Sequence, residues 1–240
     1  MARPGPRNLI TDVGGLSVGC AQDETVRTGA TVLRPDRAAV CAIDVRGGGP
    51  GTRESDALAP ENLVEAVDAL VLSGGSVYGL AAADGVVAAL GAQGLGFGLM
   101  DLPGVPRSPV VPAAILYDLA NGGDKAWGEA PPYRDLGKAA LAAAGPDFAL
   151  GRSGAGFGAR AGARAGGLGS ASIVTDDGLT VGAIAAVNSF GSLPMRSAMR
   201  PAGAARRRTS PSIRRTGARP RPIPAPARTP PSARWRPTSP

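Results

Sequence analysis

The 240 residues carry a formal charge of +7, but residues 196–240 hold 12 Arg with no Lys and no acid, which leaves residues 1–195 mildly acidic. No His is present, which excludes Ser-His-Asp and Cys-His catalysis and any His-ligated metal site, and neither metal nor organic cofactor is expected. Cys20 and Cys41 form no CxxC pair, and two thiols in a chain of this length suit a reducing compartment better than a disulfide scaffold.

In chain order, the opening MARPGPRNLITDVGGLSVG lacks an apolar signal-peptide core, and LITDVGGLSVG reads as a short strand and a turn. TGATVLRP and AAVCAIDV are strand candidates, the second running into the Gly-rich loop RGGGPGTRES. ENLVEAVDALVLSGG has helical spacing, with Leu63, Val67, Leu70 and Val71 on one face and Pro60 just before it. SVYGLAAADGVVAALGAQG predicts a small-residue helix with Ser76 at its N-cap. Asp84 and many Gly interrupt this most apolar region, so no membrane span is expected and the body reads as cytoplasmic.

Further on, SPVVPAAILYDLA is an extended stretch punctuated by Pro, and RDLGKAALAAAG is a helix ending near Gly145-Pro146. SASIVTDDGLTVGAIAAVNSFG holds two β-type runs around Asp177-Gly178, a hairpin signal. Mixed helices and antiparallel strands predict an α+β or layered α/β domain. From Arg196 onward no periodicity survives. The Arg/Pro-rich segment 196–240 is expected to be disordered, because it has no apolar surface to offset the entropy of ordering.

Three features carry candidate chemistry. SGAGFGARAGARAGG (153–167) loosely fits a dinucleotide loop, but that fingerprint needs a strand–turn–helix unit and an acid further on, and Asp176 near that distance lies in the predicted hairpin turn, so close backbone approach is the simpler reading. Asn188, closing the apolar run AIAAVN, is either a structural hydrogen-bonder or an oxyanion donor, and the residues alone favour the first. The basic tail has one aromatic, Trp235, and little stacking capacity for nucleic acid.

Taken together, ITDVGGLSVG, IDVRGGGPGTRESDAL, LSGGSVYGLAAADGV, VPAAILYDL, GAGFGA with GGLGSAS, and GAIAAVNSFG resemble, in order and spacing, the DmpA-like aminopeptidases and nylon-oligomer hydrolases over roughly residues 8–195. The resemblance implies a four-layer αββα fold of the N-terminal-nucleophile type, a homo-oligomer (often a tetramer), and cleavage of amide bonds in small peptides or peptide-like substrates. Such enzymes cut their own precursor before a Ser or Thr, whose freed amine serves as base for its hydroxyl, so no His is needed. By resemblance Asn188 becomes the oxyanion-stabilising side chain, and Tyr117 aligns with a Tyr that helps bind substrate or oxyanion. The sequence departs from the family at Cys20, where His is common, and at Ala165, where many members carry Lys; the adjacent Arg164 points elsewhere if the segment is extended.

The family continues past Asn-Ser-Phe-Gly to its cleavage site and a nucleophile-bearing second chain, and no such segment is visible here. Of residues 196–240, all but Met199, Ile213 and Ile223 are Arg, Pro, Ala, Ser, Thr, Gly or Trp. That composition is what a GC-rich gene gives when its third codon bases move into second position, which predicts a frameshift near Met195. Back-translated with free third bases and read in a shifted frame, RTPPSARWRPTSP allows Asn-Thr-Thr-Ile-Gly, which resembles the family's cleavage site. The expectation is an incomplete αββα sandwich over 1–195, a disordered tail over 196–240, and a truncated chain without hydrolytic activity. Two other readings stand beside it. One is a noncatalytic binding protein whose basic tail contacts nucleic acid. The other is Ser153 or a further internal Ser or Thr as an alternative nucleophile.

Overall fold

The structure, a computed structural model, describes residues 2–100, 102–189 and 191; the segment 196–240 expected to be disordered lies outside them. TGATVLRP forms β3 (Thr28–Pro35) with the expected bounds, its Thr and Val favouring extended backbone. It lies between β2 (Leu16–Asp23) and β5 (Leu70–Ser73), antiparallel to both. On its far side β5 pairs in parallel with β6 (Ala113–Ile115), and β4 (Thr52–Arg53) closes that edge, giving a five-stranded sheet of order β2-β3-β5-β6-β4.

Helices α1 (Ala81–Gly91) and α2 (Tyr133–Ala142) pack on one face of this sheet. Ala82, Val86 and Leu90 of α1 recur every four residues and are buried with Val32, Val71, Val111 and Tyr133. The helices touch backbone to backbone: a Cβ at Gly85 would lie 1.9 Å from the Arg134 carbonyl oxygen, and one at Gly137 would lie 2.0 Å from that of Ala82. The opposite face meets the 3₁₀ turn Gly154–Gly156, with Leu116, Ala155 and Ala159 buried against Leu72 and Ala186.

A two-residue ladder, β7 (Arg160–Ala161) with β8 (Arg164–Ala165), follows that turn. The expected hairpin is present as β9 (Leu168–Val174) and β10 (Thr180–Ala186), turning at Asp177-Gly178. The chain's start adds to it: β1 (Arg3–Pro4) pairs with the end of β9. The Ile10 N–H donates to Ser170 Oγ at 2.8 Å, and the Ser172 hydroxyl donates to the Asp12 carboxylate at 2.6 Å. Alternation along the hairpin turns Ala171, Ile173, Val181, Ala183 and Ala185 outward, with Ile173 and Val181 about half exposed.

The helix expected over ENLVEAVDALVLSGG is not formed. Leu70–Ser73 is instead a central strand with alternating burial, and Leu63, placed on the apolar face, is 75% exposed. Leu63, Val67 and Val71 fit both periods while Leu70 fits only the helix, and pairing on two sides decided for strand. AAVCAIDV is also not a strand. Apart from one bridge of Ala39 to Val67 it has no ladder, and Val40, Ile43 and Val45 are exposed, because a β-rich run without a partner gains nothing from extension. The opening LITD curls into the 3₁₀ turn Ile10–Asp12, where the Asp12 carboxylate accepts the N–H groups of Arg7 and Leu9; the strand begins only at Leu16. Ser76 caps nothing with its side chain. It sits at φ 53° inside a 3₁₀ turn (Ser76–Leu80), and its N–H donates to the Leu116 carbonyl, which continues the sheet's pattern.

Candidate active site

Tyr117 lies two residues after β6, and Asn188 two residues after β10, so two different sheets deliver them to one place. The Tyr117 backbone N–H donates to Asn188 Oδ1 at 2.9 Å. An N–H has no acceptor capacity, so this contact fixes which end of the amide faces the backbone. Asn188 Nδ2 then points away with both protons uncommitted among the described residues. The side chains of Tyr117 and Asn188 are both exposed to solvent.

Beside them lies an open cavity of about 270 Å³ lined by Tyr117, Asp118, Asn121, Arg160, Ser189 and Gly191, among others. Ser189 is the hydroxyl on its wall, and it donates to the Arg160 carbonyl at 2.9 Å. Among the described residues no titratable base is hydrogen-bonded to it.

Under Tyr117 a buried polar knot sets the floor. Asp118, 3% exposed, accepts the Thr28 hydroxyl on Oδ2 and the Gly75 N–H on Oδ1, both at 2.7 Å. Burial raises its carboxyl above the ordinary range, against the opposing pull of those two donors and of Lys125. The Gly74-Gly75 pair makes room for this knot. A Cβ at Gly74 would stand 2.0 Å from Asp118 Oδ2, and one at Gly75, which has φ +86°, would stand 2.1 Å from Tyr133 Cζ. Tyr133 itself is wholly buried, its hydroxyl makes no hydrogen bond of good geometry among the described residues, and burial, opposed by the nearby Thr28, pushes its pKa up to about 12.

Asn121 ties the neighbouring loops together. Its Nδ2 donates to the carbonyls of Arg27 (2.6 Å) and Gly158 (3.0 Å), and its Oδ1 accepts the Gly123 N–H and the Lys125 ammonium, both at 3.2 Å. Burial lowers the pKa of that ammonium, which also donates to the Val26 carbonyl.

The structure thus brings together Tyr117 and Asn188, the two residues singled out from sequence. It moves other candidates aside. Ser153 is 4% exposed, so its hydroxyl is shielded from any substrate. The Gly-rich loop holds no phosphate nest: the N–H groups of Gly154, Ala155 and Gly156 go to Gln22, Thr31 and the Ser153 carbonyl. Cys20 lies 3.5 Å from the Thr31 hydroxyl, beneath that loop. Ala165 stands opposite Arg160 in the β7–β8 ladder and lines a second cleft beyond Arg160, while Arg164 pairs with Ala161 one position earlier. Among the described residues no group of three or more Cys, Asp or Glu is placed to hold a metal ion, and no helix is long and apolar enough to cross a membrane.

Thr28, Asp118, Asn121 and Lys125 belong to no motif that marks them in the sequence. The one signal available was SGG before SVYG, since two adjacent glycines outside a flexible linker mark close approach by another group.

Comparison with known proteins places this arrangement. A family model described as peptidase family S58 matches residues 8–218. An uncharacterised aminopeptidase of Mycobacterium tuberculosis is 49% identical over 194 residues, covering 78% of this chain and 54% of the relative. A 6-aminohexanoate-oligomer endohydrolase of Paenarthrobacter ureafaciens is 35% identical over 159 residues, covering 66% of this chain and 40% of the relative. Among solved structures, a Burkholderia sp. beta-aminopeptidase superposes with TM-score 0.63 at 23% identity over 80% of this chain and 55% of that one. An L-aminopeptidase D-Ala-esterase/amidase of Ochrobactrum anthropi, described as a variant of the Ntn hydrolase fold, gives 0.57 at 19% identity over 80% and 56%. The chain spans about half the length of the curated relatives it matches.

Proposed function

The chain belongs to peptidase family S58, and on that premise we propose that residues 1–195 supply the oxyanion and substrate side of an amide hydrolase acting on small peptides or peptide-like amides. The observation that carries this is the Tyr117–Asn188 contact: a backbone N–H holds the Asn188 oxygen, so Nδ2 is left to donate to the oxyanion of a tetrahedral intermediate. The Tyr117 ring, exposed on the same rim, flanks that position.

The nucleophile has no position among the described residues. The cavity's own hydroxyl, Ser189, is engaged with a carbonyl and lacks a base. In this reading the hydroxyl comes from a segment corresponding to the remainder of the relatives, released as a new N-terminus by self-cleavage. The outward apolar face of β9–β10 and the exposed Val40 and Ile43 support a four-layer αββα arrangement, in which a further sheet would cover them. The Arg/Pro composition of 196–240 supports a displaced reading frame beyond Met195.

The test is a paired assay. The purified 240-residue polypeptide should give a single intact mass near 23.8 kDa and no hydrolysis of aminoacyl p-nitroanilides. Residues 1–191 joined to the remainder of the mycobacterial relative should cleave itself and gain activity, and Asn188→Ala in that fusion should lower kcat by about 10²–10³. Self-cleavage by the 240-residue chain, or full activity of the Asn188→Ala fusion, would defeat the reading.

A further inference from the structure

Beyond the cavity beside Asn188 lies a second cleft, of about 200 Å³, whose lining includes Arg27, Asn121, Arg152, Phe157, Arg160 and Ala165. Arg160 and Asn121 line both, so the two spaces share a wall. Three arginines line this one small cleft, although residues 1–195 as a whole are acidic. Among the described residues none of the three is in an ion pair. Arg27 donates only to the Asn121 carbonyl, at 3.4 Å, and the Arg152 guanidinium lies 5.0 Å from the centre of the Phe157 ring. Glu24 stands at the outer end, beside Arg27, Arg152 and Phe157, and pairs with neither arginine.

Two of the arginines are also held in place. Arg27 sits at φ 57°, a left-handed conformation unfavourable for a side chain with a Cβ, and its carbonyl is clamped by Asn121 Nδ2. Arg152 rests on an aromatic face, which restricts its rotamers. Arg160 projects from a two-residue ladder whose facing residue is the small Ala165, so its guanidinium has room to swing over the cleft. Planar, permanently charged donors clustered without an ion-pair partner among the described residues are suited to bidentate recognition of a carboxylate or other oxyanion.

We propose that this cleft is a subsite for the carboxylate of a peptide-like substrate whose scissile amide occupies the adjoining cavity. The substrate class is therefore an amide bearing a free carboxylate. This rests on the amide-hydrolase reading above for the identity of the neighbour, but the charge preference of the cleft is tested separately.

The probe pair is succinamate, which carries one amide and one carboxylate, and succinamide, its neutral counterpart, titrated into the 240-residue chain by ligand-observed NMR. Succinamate should saturate, with succinamide at least tenfold weaker. Arg160→Gln with Arg152→Gln should abolish that preference while thermal unfolding stays unchanged, and Arg160→Lys should keep most of it. The double variant leaves all 12 Arg of residues 196–240 in place, so a preference that survives in it belongs to them and overturns the proposal. Equal binding of the two probes by the parent chain overturns it as well. So does inorganic phosphate binding with the same variant sensitivity while succinamate does not bind. A succinamate preference alongside an inactive fusion would sink the hydrolase reading alone, and an active fusion without the preference would sink the subsite alone.

Discussion

Replacing Tyr133 with Phe should stabilise the fold. The hydroxyl is wholly buried and makes no hydrogen bond of good geometry among the described residues; Thr28 lies near enough to lower its pKa, but gives its own proton to Asp118 and can meet the phenol only as an acceptor. Burial pushes the phenol's pKa up to about 12 against a smaller lowering by Thr28, so it remains a neutral, poorly satisfied hydroxyl across the working range. Such a group costs about 1–3 kcal/mol to bury. Phe keeps the ring and its edge-on contact with Trp127, whose centroid is 5.9 Å away. The vacated oxygen leaves a void of roughly 15 Å³, which at about 24 cal/mol per Å³ costs about 0.4 kcal/mol. The net expectation is a gain of about 1 kcal/mol, read as a raised urea midpoint at unchanged m-value by circular dichroism. A loss of about 1 kcal/mol or more would show that the hydroxyl has a partner and would refute the reasoning.

Gly74→Ala should cost about 2–4 kcal/mol, since its Cβ would collide with both Asp118 Oδ2 and Thr28 Oγ1; a variant that unfolds at the parent's urea midpoint contradicts the polar knot. The raised Asp118 pKa means that the folded state holds this proton more tightly than the unfolded state. Stability of the parent relative to Asp118→Asn should therefore fall as pH rises above the ordinary carboxylate value of 3.8, and an opposite slope in parallel melts counts against it. Asp12 runs the other way. Burial would raise its pKa, but donors from Ser172, Arg7 and Leu9 outweigh it and hold it low. The parent should lose more stability than Ser172→Ala on acidification below that value, and equal losses would remove the Ser172 contribution. Sequencing the coding DNA should show that a one-base shift near codon 195 restores Asn-Thr-Thr and an open frame past codon 240; a closed frame there ends the frameshift reading.

Local chemistry made some elements legible. Thr28–Pro35 holds β-branched Thr and Val and ends at Pro, and Asp177-Gly178 between two apolar runs marks a hairpin, so both were readable without any partner. Leu70–Ser73 was not, because its strand character comes from β3 on one side and β6 on the other, neither of them local. AAVCAIDV shows the converse, strand-like residues with no neighbour to pair with. At the site, Asn188 and Tyr117 were visible through resemblance to a family, while the hydrogen bond that orients the amide was not, since it joins residues 71 positions apart. Asp118 was hidden for a related reason: its role depends on Thr28 and Gly75, brought to it by the sheet.

The pairing of β1 with β9 bears on how this chain is made. Arg3 and Pro4, synthesised about 170 residues before β9, have their partners at Val174 and Ile173, and Asn8, Ile10 and Asp12 bond to Ser172 and Ser170. Closing so long a loop costs entropy that no nearby contact offsets. The β2–β3 hairpin can assemble early in synthesis, but the segment before it must wait, solvated and open to proteases, until β9 emerges. A pulse of protease during translation would find its cleavage sites there, at the beginning of the chain, long after the first hairpin has closed.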